Sequence, residues 1–156
     1  MPDNKESIYL EEWLDVSVEI NDGKIKLYDN LYSIKPHVSR MIEEARNKNE
    51  IGSSLECELS ISCNKHLYDD LDKLSDELKF IFIVSACNIT LGKESDNYSI
   101  NDDLNKFSIS ISKSNHKKCE ICWHLHESVG TIEGSSTICK RCFDNVHGDG
   151  ECRTYA

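Results

Sequence analysis

Between Lys24 and Asn47 the apolar residues fall at Leu27, Leu31, Ile34, Val38, Met41 and Ala45. This spacing of 4, 3, 4, 3, 4 places them on one face of a helix. Pro36 lies inside the stripe and predicts a kink or a split, because proline donates no backbone hydrogen bond and crowds the preceding turn. The charges of EEARNKNE read as the solvated face of the same helix. The period then changes. In IGSSLECELSIS, Leu55, Cys57, Leu59 and Ile61 alternate with polar residues, the pattern of a half-buried strand. Cys57 sits on its buried side as a small inert hydrophobe. Leu67, Leu71, Leu74 and Leu78 predict a helix over about 66–78. KFIFIVSA (79–86) reads as a buried strand and GKESDN (92–97) as a loop. KFSISISK (106–113) reads as a further strand with Phe107, Ile109 and Ile111 on one face. Residues 1–23 hold scattered anchors (Ile8, Tyr9, Leu10, Trp13, Leu14, Val16) and read as a loop with one helical turn, closed by the turn signal NDGK.

The middle of the chain is thus strand–helix–strand–loop–strand, a small α/β layer following a helical segment. What comes after it has a different character. Cys119, Cys122, Cys139 and Cys142 form C-x2-C-x16-C-x2-C, a spacing suited to a four-thiolate metal site. Each CxxC turn brings two sulfurs to one side, and two facing turns complete a tetrahedron. The 16 intervening residues allow a hairpin, with Gly134 in GTIEGSSTI at its bend. The expected fold class is therefore α+β: a helical segment, a small α/β layer and a C-terminal four-cysteine zinc ribbon.

Zinc in a structural role is the leading reading, since four thiolates leave no open position for a substrate water. The spacing does not separate zinc from iron. A thioredoxin-like redox pair fits two facing turns poorly, and disulfides fit a reducing compartment poorly. His124 and His126 are alternative ligands or surface residues. Cys63, Cys87 and Cys152 find no partner by spacing. Without the ion this tail has little core, so metal binding is expected to supply about 10 kcal/mol of its folding free energy.

Charge narrows the partners. The net charge of −10 argues against wholesale nucleic-acid binding, yet residues 113–156 hold six basic and six acidic side chains and are locally neutral. Lys117, Lys118, Lys140, Arg141 and Arg153 are candidates for phosphate contact, with scattered surface charge as the plain alternative. Trp123, beside the first knuckle, either stacks on an unpaired base or packs on the ribbon. No catalytic residues stand out: Walker, dinucleotide, HExxH and GxSxG signatures are absent. MPDNKESIYL is polar and shows no signal peptide, and FIFIVSA (80–86) is too short to span a bilayer, so a cytoplasmic protein without membrane contact is expected.

KCEICWHLHESVG…ICKRCFDNVHGDGE resembles the C-terminal zinc module of bacterial isoleucyl-tRNA synthetases. IGSSLECELSI resembles the segment leading into that module, and LSDELKFIFIVSA resembles its strand-entering helix. The ordered likeness runs from ESIYLEEW to GDGECRTYA. It implies that residues 1–50 end the helical anticodon-binding domain, that 51–113 form a C-terminal extension and that 114–156 form the zinc ribbon. It implies Cys119, Cys122, Cys139 and Cys142 as ligands of one structural Zn2+. It also implies isoleucine tRNA, near its anticodon stem-loop, and the remainder of the synthetase as partners. ATP-dependent charging would belong to an upstream catalytic domain, whose HIGH and KMSKS signatures are not in this chain. Two departures stand out: Ile121 where the family often has a basic residue, and Pro36 in a helix usually uninterrupted. The same ribbon type ends the formamidopyrimidine-DNA glycosylases, which also open Met-Pro. Here Pro2 is followed by Asp3 and NKES, and the strand and helix segments do not match that fold, so DNA is not the expected partner. A structural or protein-docking module without RNA contact is the alternative.

Overall fold

The computed structural model describes residues 22–93, 99–101 and 105–155. Of the loop and helical turn expected over 1–23, residues 1–21 lie outside the described residues, and Asp22–Lys24 of the expected turn NDGK instead form the start of a helix. Most of the loop expected at 92–97 also lies outside the described residues.

Helix α1 spans Asp22–Asn47 as one helix. Its buried stripe is Leu27, Leu31, Ile34, Val38, Ile42 and Ala45, while Met41 is only partly buried. Pro36 does not split it. The missing donor would have served the carbonyl of Tyr32, and both residues are exposed, so water can take the vacant bond while Ile34 and Val38 keep their core contacts. The change from Met41 to Ile42 is a drift of the stripe, because 3.6 residues per turn is slightly more than the 3.5 the spacing assumes.

Strand β1, Cys57–Cys63, is central in a four-stranded sheet of order β2-β1-β4-β3, with β2 at Ala86–Leu91, β3 at Ile100–Asn101 and β4 at Lys106–Lys113. β1 pairs parallel with β2 and antiparallel with β4. The register sets Leu59 opposite Ile111, Ile61 opposite Ile109 and Cys63 opposite Phe107, so the two alternating patterns present one continuous apolar face. Helix α1 and helix α2, Lys65–Asp72, join that face in one core. Leu67, Leu71, Leu74 and Leu78 are all buried, but the single helix expected over 66–78 stops at Asp72, so Leu74 and Leu78 reach the core from the segments that follow. Leu55 lies in a 3-10 turn (Ser54–Glu56) just before the strand.

Residues 79–83 overturn the strand expected over 79–86. A 3-10 turn (Ser75–Glu77) leads into helix α3, Leu78–Phe82, and the strand starts only at Ala86. Leu78 and Phe82, four apart, are the buried pair, and a short apolar run has no periodicity of its own to separate helix from strand. Helix α3 ends at Ile83, whose backbone is left-handed (φ 57°, ψ 54°) although its side chain is 55% exposed. The N–H of Val84 donates back to the carbonyl of Lys79 at 2.9 Å, closing the turn. No helix among the described residues is long and apolar enough to cross a membrane.

Candidate metal centre and its surroundings

The first knuckle is framed by a short hairpin, β5 (Lys117–Lys118) and β6 (Leu125–His126), with Lys118 opposite Leu125. Within it the N–H of Trp123 donates to the carbonyl of Cys119 at 3.0 Å, and that of Cys119 to His124 at 2.9 Å. The second knuckle opens helix α4, Lys140–His147: Cys139 is its N-cap residue and Cys142 lies in its first turn. The hairpin expected over 130–138 is not formed. That stretch is a series of turns, with Gly130 and Gly134 at φ 94° and 75°, and the strands that do pair flank the first CxxC instead. Thr and Ile in that segment carry β propensity, but they find no partner strand to satisfy it.

The sulfurs of Cys119, Cys122, Cys139 and Cys142 all lie within 4.8 Å of one another. Those of Cys122 and Cys139 are 3.7 Å apart. A tetrahedron with zinc–sulfur arms of about 2.3 Å has edges of about 3.8 Å, so the four residues fit the ion. The N–H of Cys139 donates to the sulfur of Cys119 at 3.3 Å. Burial pushes the Cys122 thiol up, but hydrogen bonds from His124 and Arg141 outweigh it and hold it at about 5. Burial likewise opposes ionisation of Cys119, and the backbone amides of Cys122, Cys139 and Ile121 bring it below its ordinary value. Cys139 and Cys142 are raised, chiefly by burial. The cage thus carries donors that favour two thiolates, and a bound cation would favour all four. Around it, Val129 is the one other fully buried apolar residue of this second small core.

Neither histidine belongs to the four-sulfur cluster. Nδ1 of His124 donates to the carbonyl of Cys122 at 3.1 Å, and its ring meets Phe80 edge-on at 5.7 Å. His126 Nδ1 takes hydrogen bonds from Ser128: 2.8 Å from the hydroxyl and 3.1 Å from the N–H. That same hydroxyl accepts the N–H of Lys140 at 2.8 Å, tying the hairpin to the second knuckle.

The nucleic-acid candidates divide into two groups. Trp123 is 59% exposed at φ 66°, and the ammonium of Lys118 sits 5.2 Å from its ring centroid. Lys117 and Lys118 are both exposed on β5. Lys140, Arg141 and Arg153 are engaged within the molecule. Lys140 pairs with Asp144. Arg141 and Arg153 both pair with Glu151, at 2.7 and 2.5 Å, and their guanidinium groups lie 5.0 and 3.8 Å from the Phe80 centroid. Phe80, Glu151, Glu77 and Ser85 escape the sequence reading. The short apolar run 79–86 has no period of its own, so nothing local places Phe80 outside the core. Phe80, Glu77 and Glu151 line a cleft of about 400 Å³ between α3 and the ribbon, and Ser85 lines a smaller one of about 130 Å³.

A mixed sheet packed on helices and closed by a four-thiolate cage defines an α+β segment carrying a zinc ribbon. The family described as "Zinc finger found in FPG and IleRS" matches residues 117–145, and together with the clustered cysteines it supports zinc binding. The isoleucine–tRNA ligase of Shewanella halifaxensis is 34% identical over 155 residues, which is 97% of this chain and 16% of that protein. That of Shewanella pealeana is 32% identical over the same shares, and that of Shewanella sediminis is 31% identical over 160 residues, 100% of this chain and 17% of that protein. The chain is therefore homologous, over nearly its whole length, to the C-terminal region of isoleucine–tRNA ligases. It spans only 16–17% of the length of these relatives.

Proposed function

We propose that this chain is the C-terminal tRNA-recognition segment of an isoleucine–tRNA ligase acting in the cytoplasm. In this reading residues 1–50 end the anticodon-binding domain, 51–113 form the extension and 114–156 the ribbon. One zinc ion, held by Cys119, Cys122, Cys139 and Cys142, fixes the first knuckle, and bound zinc supplies structure only. The knuckle presents Trp123, with Lys117 and Lys118, to the anticodon stem-loop region of isoleucine tRNA. ATP-dependent charging belongs to the rest of the ligase, and the catalytic and editing sites lie outside these residues.

What carries the reading is the exposed indole of Trp123, set on a metal knuckle with a lysine ammonium on its ring. An aromatic face of this kind gains about 1–3 kcal/mol from stacking on an unpaired base, and the rigid turn lowers the ordering cost. The neighbouring lysines suit the adjoining phosphates. Lys140, Arg141 and Arg153 take a smaller part in this contact, since each already holds a carboxylate.

Trp123→Ala tests it. RNA affinity for the isoleucine anticodon stem-loop drops while zinc content and fold persist, and binding by the parent chain weakens with added salt. Equal affinity for isoleucine tRNA and an unrelated RNA at every salt concentration removes the specificity claim. A second reading, a bracing or protein-docking module, draws on Arg141 and Arg153, which both pair with Glu151 and lie against Phe80. In that case Trp123→Ala leaves RNA affinity untouched.

A further inference from the structure

Besides the His124 ring on Phe80 and the Ser114 N–H on the Glu56 carbonyl, two sets of hydrogen bonds join the ribbon to the α/β layer. One is at Ser85, whose buried hydroxyl accepts the N–H of Leu125 at 2.7 Å. The other is made by the residues after α4. The chain turns at Gly150 (φ 80°), and the N–H of Glu151 donates to Asn145 Oδ1 at 2.7 Å. The Glu151 carboxylate then takes Arg141, the neighbour of Cys142, and Arg153. The Arg153 guanidinium sits 3.8 Å from the ring centroid of Phe80 of α3. Beyond it, the N–H groups of Thr154 and Tyr155 donate to the two oxygens of Glu77, both at 2.7 Å. Tyr28 of α1 donates its hydroxyl to the carbonyl of Tyr155 at 3.1 Å, and the Tyr155 side chain packs on the main core.

We infer that residues 151–155 are a latch that holds the ribbon in a fixed orientation on the α/β layer, with Glu77 as its anchor and a positioning residue for the Trp123 surface. Two backbone donors on one carboxylate fix both the place and the direction of the strap. Charge-assisted bonds of this kind are roughly twice as strong as neutral ones. The strap starts at Glu151, which holds Arg141 beside the cage cysteine Cys142, and ends against Tyr28 of α1, so it touches all three parts of the molecule. With the latch open, the ribbon keeps the Ser85–Leu125 bond, the Ser114–Glu56 bond and the His124 and Arg141 contacts with Phe80, but loses its tie to Glu77 and α1, so its orientation is less fixed. Trp123 and Lys118 would then have to be re-ordered each time RNA binds, and that ordering cost lowers affinity without altering any RNA-touching side chain.

The inference rests on the RNA reading above, and the experiment separates the two. Glu77→Ala and Glu77→Gln are compared with the parent chain in zinc-loaded form, by amide exchange at Thr154 and Tyr155, by metal content and by affinity for the isoleucine anticodon stem-loop. In Glu77→Ala, exchange at the two amides rises by about tenfold or more while one zinc per chain and the ribbon's protection remain. RNA affinity falls by about three- to tenfold. Glu77→Gln, which keeps one acceptor oxygen, lies between the two on both scales, a graded rescue that general loss of structure does not produce. Unchanged exchange at Thr154 and Tyr155, unchanged RNA affinity with the latch open, or loss of the metal each overturns the inference. If Trp123→Ala also leaves affinity unchanged, the RNA reading itself has failed. If Trp123→Ala weakens binding and Glu77→Ala does not, only the latch has failed.

Discussion

Ser85 and Leu125, 40 residues apart, meet through a single hydroxyl: Ser85 Oγ accepts the Leu125 N–H at 2.7 Å and donates to the carbonyl of Leu55 at 2.5 Å. Ser85 is 2% exposed, while Leu125 and Leu55 are half-buried. Ser85→Ala should cost about 1–3 kcal/mol, because it removes the partner of two half-buried backbone groups at once. A lower urea midpoint at unchanged slope checks this. Faster amide exchange at Leu125, with zinc retained, locates the loss at the junction.

Metal removal should divide the molecule along its two cores. The ribbon's own apolar core is little more than Val129 and the cysteines, whereas the layer buries Leu59, Ile61, Phe107 and the α1 stripe. Chelation is expected to unfold 117–147 and to leave the sheet and α1 folded, since about 10 kcal/mol of a small zinc module's folding comes from the ion. Amide exchange before and after chelation reads this directly. Metal analysis of the parent chain should give about one zinc.

Ile83→Gly should stabilise the protein. A β-branched residue in the left-handed region costs about 1–2 kcal/mol, and the side chain, 55% exposed, returns little burial in exchange. A gain of about 1 kcal/mol is expected after the extra chain entropy of glycine is subtracted, read as a higher urea midpoint.

Asp70 gives a pH dependence. Its carboxylate accepts Asn30 Nδ2 and Lys73 Nζ, each at 2.6 Å. Burial raises its pKa, but Lys73 and Asn30 outweigh burial and leave it below the ordinary value of 3.8. A carboxyl depressed in the folded state contributes stability above its unfolded pKa and loses it as pH falls through the folded value. Asp70→Asn should therefore be less stable than the parent at pH 7 by about 1 kcal/mol. The difference should close below pH 3.8. Urea unfolding of both chains, followed on the layer, tests the sign.

The sequence made legible whatever depends on local period or on donor chemistry. Alternation at Cys57, Leu59 and Ile61 and at Phe107, Ile109 and Ile111 gave two paired strands, and the 3.6-residue stripe gave α1. The four thiols were readable because metal geometry dictates their spacing. The remainder is set by partners distant in the chain. Nothing near Lys79–Phe82 says that Arg153 and Arg141 will cover Phe80, so the run looked like a core strand. Ile100–Asn101 was too short to show a period, and its place as β3 is fixed by β4. The turns at 130–138 looked like a hairpin because β propensity is meaningful only when a partner strand exists. Pro36 was judged on the intrinsic cost of proline, and its position on the solvent side of α1 reduces that cost.

Cys57 and Cys63 are sealed inside the sheet, and burial pushes the thiol of half-buried Cys87 up to about 12. With the cage filled by a cation, four more sulfurs are occupied. Of eight cysteines, that leaves Cys152, exposed on the strap, open to an alkylating reagent at neutral pH. A fluorophore or spin label would enter the native, unmutated chain at one place, and that place is the strap.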